Sequence, residues 1–243
     1  GDITIKKSKR KEDGVVNHQQ DTWNFRFNQI FLNEPQESFY DVVASKLVRN
    51  TASGISGNIL AYGQTGAGKT FTISGTHDNP RYRGILPRAI AAFFREIETK
   101  TDLIYNIRLT YVEIYNENIN DLLADKPTSP IVLQEDAHIG VFPQGACMFT
   151  VRTEEEALFY MFRGEANKSL NEHKLNKNSS RSHTVFTLYI ESRPVCQSNE
   201  KFNFSKLNIF DLAGSERSKK TDTVGPQIIE ASFINKSLSS LEQ

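Results

Sequence analysis

Eight residues, Gly63 to Thr70 (GQTGAGKT), constrain the fold more than any other stretch of the chain. Two glycines enclose four residues and are followed by Lys69 and Thr70, the spacing of a phosphate-binding loop. Glycine lets successive backbone N–H groups turn inward around phosphate oxygens. Lysine brings a point charge to the β- and γ-phosphates, and the threonine hydroxyl can ligate Mg²⁺. Such a loop has to leave a strand and open a helix, whose N-terminus also favours an anion. The flanks agree: Ile55 to Tyr62 is a strand candidate ending at Gly63, and no obvious helix breaker follows at once. A glycine-rich turn with a solvated lysine is the alternative, and it accounts for neither the complete spacing nor the strand ahead. The candidate nucleotide-binding residues are Gly63, Gln64, Thr65, Gly66, Ala67, Gly68, Lys69 and Thr70.

Around this loop, short β-rich runs alternate with amphipathic helical patterns, as in an α/β protein. The expected fold is a P-loop NTPase whose central, mostly parallel twisted sheet carries helices on both faces. Trp23 to Phe27 alternates like a strand. Phe39, Val42, Val43, Leu47 and Val48 then mark a helix between Glu34 and Asn50, with Pro35 near its start. Pro87 to Thr99 reads as a helix and Tyr105 to Tyr115 as a strand. Prolines and glycines between 125 and 151 suggest small hairpins outside the main sheet. Thr153 and Glu156 form a capping box ahead of a helix. Strands at Val185 to Ile190 and Phe202 to Leu212 and a helix at Pro226 to Leu241 complete one domain, 1–243.

Composition narrows the partners. Twenty-nine basic residues balance twenty-nine acidic ones, so no global field points to nucleic acid or an anionic membrane. Cys147 and Cys196 show no metal or disulfide spacing, which fits a reducing compartment. Asn-x-Ser matches at Asn167, Asn178, Asn203 and Asn235 read as chance. No stretch has membrane-spanning length, and GDITIKKSKRK lacks the apolar core of a signal peptide. The expectation is a soluble intracellular protein.

Coupling hydrolysis to motion requires elements that sense the γ-phosphate. Asp211-Leu-Ala-Gly214 follows the apolar run Leu207 to Phe210, which puts Asp211 at the C-terminal edge of a strand beside the loop. From there the carboxylate can reach a Mg²⁺-bound water, and the Gly214 N–H the γ-phosphate. Asn176-Lys-Asn-Ser-Ser-Arg-Ser-His183 is dense in hydroxyls and amides, the groups needed to order an attacking water. Alone it would pass for a polar surface loop capping its own backbone. Arg181 and Glu216 offer an opposite-charge latch between the two segments. The Asn-Lys-x-Asp guanine signature is absent, as are the HRD and DFG motifs of protein kinases, so ATP is favoured.

Together and in this order, GQTGAGKT, NKNSSRSH and DLAGSE resemble the P-loop, switch I and switch II of a kinesin motor domain. Tyr111 to Asn118 (YVEIYNEN), Arg83 to Arg88 (RGILPR) and Ile234 to Leu238 (INKSL) resemble the same family. The likeness runs from about Phe25 to Gln243. Gly14 to Trp23 and the closing SLSSLEQ are most similar to the ninth kinesin family, associated with cilia and flagella.

The resemblance implies a microtubule-stimulated ATPase that binds ATP, ADP and Mg²⁺. Thr70 and Ser180 would ligate the metal, Asp211 would hold one of its waters, and Gly214 would sense the γ-phosphate. Asn176 and Ser179 would place the lytic water, Arg181 and Glu216 would form the inter-switch bridge, and Glu216 would accept a proton through water. Phe71 would lie by adenine. Tubulin would be met by Arg217 to Val224, by Pro226 to Gln243 and by the region Gln134 to Phe142, with Arg217, Lys220 and Lys236 as basic contacts for an acidic surface. The run Lys6 to Lys11 is a further basic candidate. Cytoplasm and cytoskeleton, with the cilium or flagellum for the ninth family, are the implied locations. Against the family pattern, a first strand and the later part of the motor core, including its neck, would lie outside this chain, as would any dimerising region. A nucleotide-regulated microtubule scaffold without directional movement is the alternative function, and a P-loop NTPase with another partner a third.

Overall fold

The computed structural model describes residues 1–6, 22–76, 78–125, 130–175, 181–196, 202–216 and 236–238. They fall into two compact units, Gly1–Pro35 and Gln36–Gln243. In the first, β1 (Asp2–Lys6) pairs antiparallel with β2 (Thr22–Arg26), Ile3 facing Phe25 and Ile5 facing Trp23. β2 is the expected strand. β1, by contrast, was not expected, and it ends where the basic run Lys6 to Lys11 begins.

The second unit opens with α1 (Gln36–Val43) and α2 (Ser45–Ala52), which divide the single helix expected there at Ala44. β3 (Gly57–Ala61) then leads into the phosphate-binding loop, and α3 (Lys69–Ile73) leaves it. α4 (Ile85–Glu98) buries Ile85, Leu86, Ala89, Ile90, Phe93 and Phe94, the one-sided stripe of an amphipathic helix. β4 (Leu103–Tyr115) turns into β5 (Asn118–Asp121) through Asn116 and Glu117, at φ 51° and 61°, as a tight two-residue hairpin requires. β6 (Val132–Asp136) and β7 (Gly140–Gln144) form a separate hairpin, as expected for that region, and β8 (Phe149–Val151) returns to β4. At the head of α5 (Glu154–Leu175) the Glu156 N–H donates to Thr153 Oγ1, while the Glu156 carboxylate accepts from the Arg152 N–H. β9 (His183–Pro194) and β10 (Asn203–Asp211) complete the main sheet.

That sheet runs β3-β10-β9-β4-β5 and corrects one expectation. It is mixed: β10 lies parallel to β3, while the β10–β9, β9–β4, β4–β5 and β4–β8 pairings are antiparallel. The reason is local, because only eight residues separate the end of β9 from the start of β10 and β4 turns straight back into β5. Consecutive buried residues, Phe186 to Ile190 and Leu109 to Glu113, show that the central strands are covered on both faces. The core joins Leu109, Phe186, Leu188, Ile190, Leu207 and Ile209 of the sheet to α2, α4 and α5. Gly164 of α5 sits where a Cβ would come within 2.3 Å of the Tyr111 ring, so helix and sheet approach as closely as glycine allows.

Candidate nucleotide and switch site

β10 is in parallel register with β3 over five residues, Leu207 on Gly57 through Asp211 on Ala61, so both strands end side by side at the phosphate loop. The chain then stays in contact: the Leu212 N–H donates to Ala61 O, and the Ser215 N–H to Gly63 O. Within the loop, Gly66 and Gly68 adopt φ 79° and 89°, with open space where a side chain would stand. Backbone conformation, not crowding, therefore demands glycine there. Lys69 Nζ donates to the carbonyls of Gly63 and Gln64, both at 2.9 Å.

Two contacts weld the DLAGSE segment to the loop. Thr70 Oγ1 donates to Asp211 Oδ2 at 2.6 Å. The Thr65 N–H donates to Glu216 Oε2 at 2.8 Å, and the Thr65 hydroxyl donates to Glu216 Oε1. Partial desolvation pushes the Glu216 carboxyl up, but the two Thr65 donors and Lys69 outweigh it and hold it below the usual carboxylate range. Gly214 lies under this clasp, where an added Cβ would meet Glu216 Oε2 and Thr65 Oγ1 at 2.4 Å each.

Behind the site runs a buried polar layer that sequence reasoning did not assign. Lys168 Nζ stands 3.6 Å from Asp211 Oδ2, with both side chains almost fully buried. Ser74 Oγ donates to Glu165 Oε1 at 2.8 Å, and so does Tyr111 OH, tying α3, α5 and β4 together. The signal was present in the helix: Ala157, Met161, Glu165 and Lys168 recur on one buried stripe, so two charges occupy core positions. His183, the last residue of NKNSSRSH, was assigned no role either. Its Nδ1 accepts from the Ala213 N–H at 3.1 Å, and its Nε2 lies 3.0 Å from Ser237 Oγ. Burial lowers its pKa, against the opposing pull of Asp211 and Glu117.

The donor set suits Mg²⁺. Asp211 Oδ1 is buried with no hydrogen-bond partner among the described residues, and the Thr70 hydroxyl lies against the same carboxylate. Mg²⁺ usually takes one or two protein oxygens and completes its shell with water and phosphate, and such a pair provides them. Asn176, Ser179 and Ser180 lie outside the described residues, as do Arg217 and Lys220. Arg181 is half-buried at the entry to β9. Phe71, 47% exposed on α3, stands 6.5 Å from the Tyr82 ring, and its carbonyl accepts from Gln36 Nε2 at 2.7 Å. Lys236 is exposed while Leu238, two residues on, is buried, so the helical segment 236–238 shows one face to solvent and one to the protein.

The family model for the kinesin motor domain matches residues 2–243. The chain belongs to the kinesin motor domain family. It is 44% identical to Kinesin-like protein KIF9 of Mus musculus, across 100% of this chain and 31% of the relative. To Kinesin-like protein KLP1 of Chlamydomonas reinhardtii it is likewise 44% identical, across 99% and 31%. The likeness to the ninth kinesin family is thereby supported, and the chain spans about a third of the length of these curated relatives (31%). Among solved structures, that of a fast kinesin superposes with a TM-score of 0.83 at 33% identity, covering 99% of this chain and 68% of the other. The kinesin fold explains why β3, β10 and the phosphate loop meet as they do.

Proposed function

We propose that residues 1–243 are part of the ATP-hydrolysing core of a microtubule motor, and that they act as one partial motor domain. The observation that carries this reading is the double clasp between loop and switch, Thr70 on Asp211 and Thr65 on Glu216. A triphosphate drawn into the loop competes for the same donors, since Thr65 and Thr70 belong to the phosphate-binding sequence. Occupancy of the loop is thus felt directly by residues 211–216.

ATP binds with its β- and γ-phosphates on the N–H groups of Gly63 to Thr70 and on Lys69, whose ammonium leaves the Gly63 and Gln64 carbonyls to meet them. Thr70 and Ser180 would hold Mg²⁺, with Asp211 on one of its waters, and the metal would supply charge neutralisation at the phosphate oxygens. The Gly214 N–H meets the γ-phosphate. Asn176 and Ser179 place the attacking water, and Arg181 pairs with Glu216 once Glu216 leaves Thr65. That release also serves the chemistry, because a carboxylate held below its usual range is a weak base until its donors are withdrawn. Phe71 offers its exposed ring to adenine. Arg217, Lys220 and Lys236 face the acidic surface of tubulin, with the β6–β7 hairpin, exposed along β6, as a second contact. Kinship with KIF9 and KLP1 supports a place on the cytoskeleton of a cilium or flagellum.

Replacing Glu216 by alanine tests the assignment. Nucleotide affinity, measured with a fluorescent ATP analogue, stays near wild type, and microtubule-stimulated turnover falls by about 10²- to 10⁴-fold. Unchanged turnover would remove Glu216 from the chemistry.

A further inference from the structure

His183 belongs neither to the phosphate loop nor to the exposed face of segment 236–238, yet it touches what lies between them. Its two hydrogen-bond partners are 30 and 54 residues away in sequence and sit on different segments of the chain. A backbone N–H can only donate, so the contact with Ala213 makes Nδ1 the acceptor and leaves the ring proton on Nε2. Nε2–H then donates to Ser237 Oγ, and one neutral ring fixes two segments at once. Burial favours that neutral form.

The segments it joins are the ones that have to move together. Ala213 is fully buried and lies between Asp211, clasped by Thr70, and Glu216, clasped by Thr65. Ser237 lies between exposed Lys236 and buried Leu238. Packing around Ala213 and Leu238 leaves little room to absorb a displacement, so a shift of the 211–216 backbone pulls on the imidazole and through it on Ser237.

We infer that His183 is a positioning residue that couples the Asp211–Glu216 segment to the helical segment 236–238, transmitting the state of the phosphate loop to the microtubule-facing side of the molecule. This rests on the motor reading above. It assigns His183 no contact with nucleotide or tubulin, and it makes Ser237, not a surface lysine, the receiving group.

The test is cosedimentation of the intact protein with microtubules in a non-hydrolysable ATP analogue and in ADP. The ratio of the two affinities measures the coupling. Ser237→Ala removes one hydrogen bond. His183→Asn keeps an acceptor near the Ala213 N–H but is too short to reach Ser237. Both variants are expected to bring the ratio about 5-fold or more closer to one while the fluorescent analogue binds as in wild type without microtubules. A wild-type ratio in both variants would overturn the inference. So would parallel loss of both affinities with a lowered Tm, which is what a merely structural histidine would give. A wild type whose affinity is the same in both nucleotides would overturn the motor reading itself, and the coupling with it.

Discussion

Gly214→Ala is expected to lower microtubule-stimulated ATP turnover by about 10²- to 10³-fold while nucleotide still binds. The methyl group would stand 2.4 Å from Glu216 Oε2 and from Thr65 Oγ1 and 2.6 Å from Glu216 Oε1, distances that no Cβ tolerates. Glu216 is near the surface and can swing away, and the Thr65 hydroxyl can rotate. The fold is therefore expected to survive, but the clasp would not re-form and the Gly214 N–H would lose the contact with the γ-phosphate proposed for it. The N–H groups of the phosphate loop and Lys69 are untouched, which is why binding persists. Parallel titrations of a fluorescent ATP analogue and of steady-state turnover separate the two effects. Equal losses in both would show that Gly214 shapes the pocket and does not report on its contents.

Asp211→Ala carries the largest combined penalty. It strips the Thr70 hydroxyl of its acceptor, removes the carboxylate expected to hold a Mg²⁺-bound water, and leaves Lys168 buried without a counter-charge. Breaking a buried pair from one side costs about 3–5 kcal/mol, far more than the pair itself contributes relative to an apolar substitute. The urea midpoint should fall accordingly with an unchanged slope, and turnover should vanish. Lys168→Met added to Asp211→Ala separates the causes. The double variant regains most of the lost stability, because the stranded ammonium is gone, and regains none of the activity. Recovery of turnover together with stability would mean that Asp211 acts only as a partner to Lys168.

The phosphate loop and Asp211 were legible because their chemistry requires a spacing: glycines at turns with positive φ, a lysine and a hydroxyl at the head of a helix, a carboxylate at the end of the neighbouring strand. The capping box at Thr153 and the stripe of α4 were legible for the same reason, as local periodicity decides both. Strand direction was not, since the pattern within Phe202 to Leu212 is the same for either direction; only the pairing shows β9 and β10 to be antiparallel. β1 escaped notice because Ile3 and Ile5 alternate for only five residues before a run of lysines takes over. The break at Ala44 follows no glycine or proline and so left no mark in the pattern. Glu165 and Lys168 were missed because isolated charges in a helix ordinarily face water, and only the packing of α5 against β4 shows them turned inward. His183 stood in view at the end of a recognised motif, but its value lies in partners 30 and 54 residues away, a separation to which local patterns are blind.

The clasped loop and switch are proposed to couple ATP hydrolysis to microtubules. Steady-state ATP turnover of the intact protein, measured with and without polymerised tubulin, tests this coupling most directly. Turnover that rises steeply with tubulin and collapses in Gly214→Ala is the predicted result. Turnover indifferent to tubulin, in a protein that binds ATP and sediments with microtubules, would contradict it and leave a nucleotide-regulated scaffold in place of a motor.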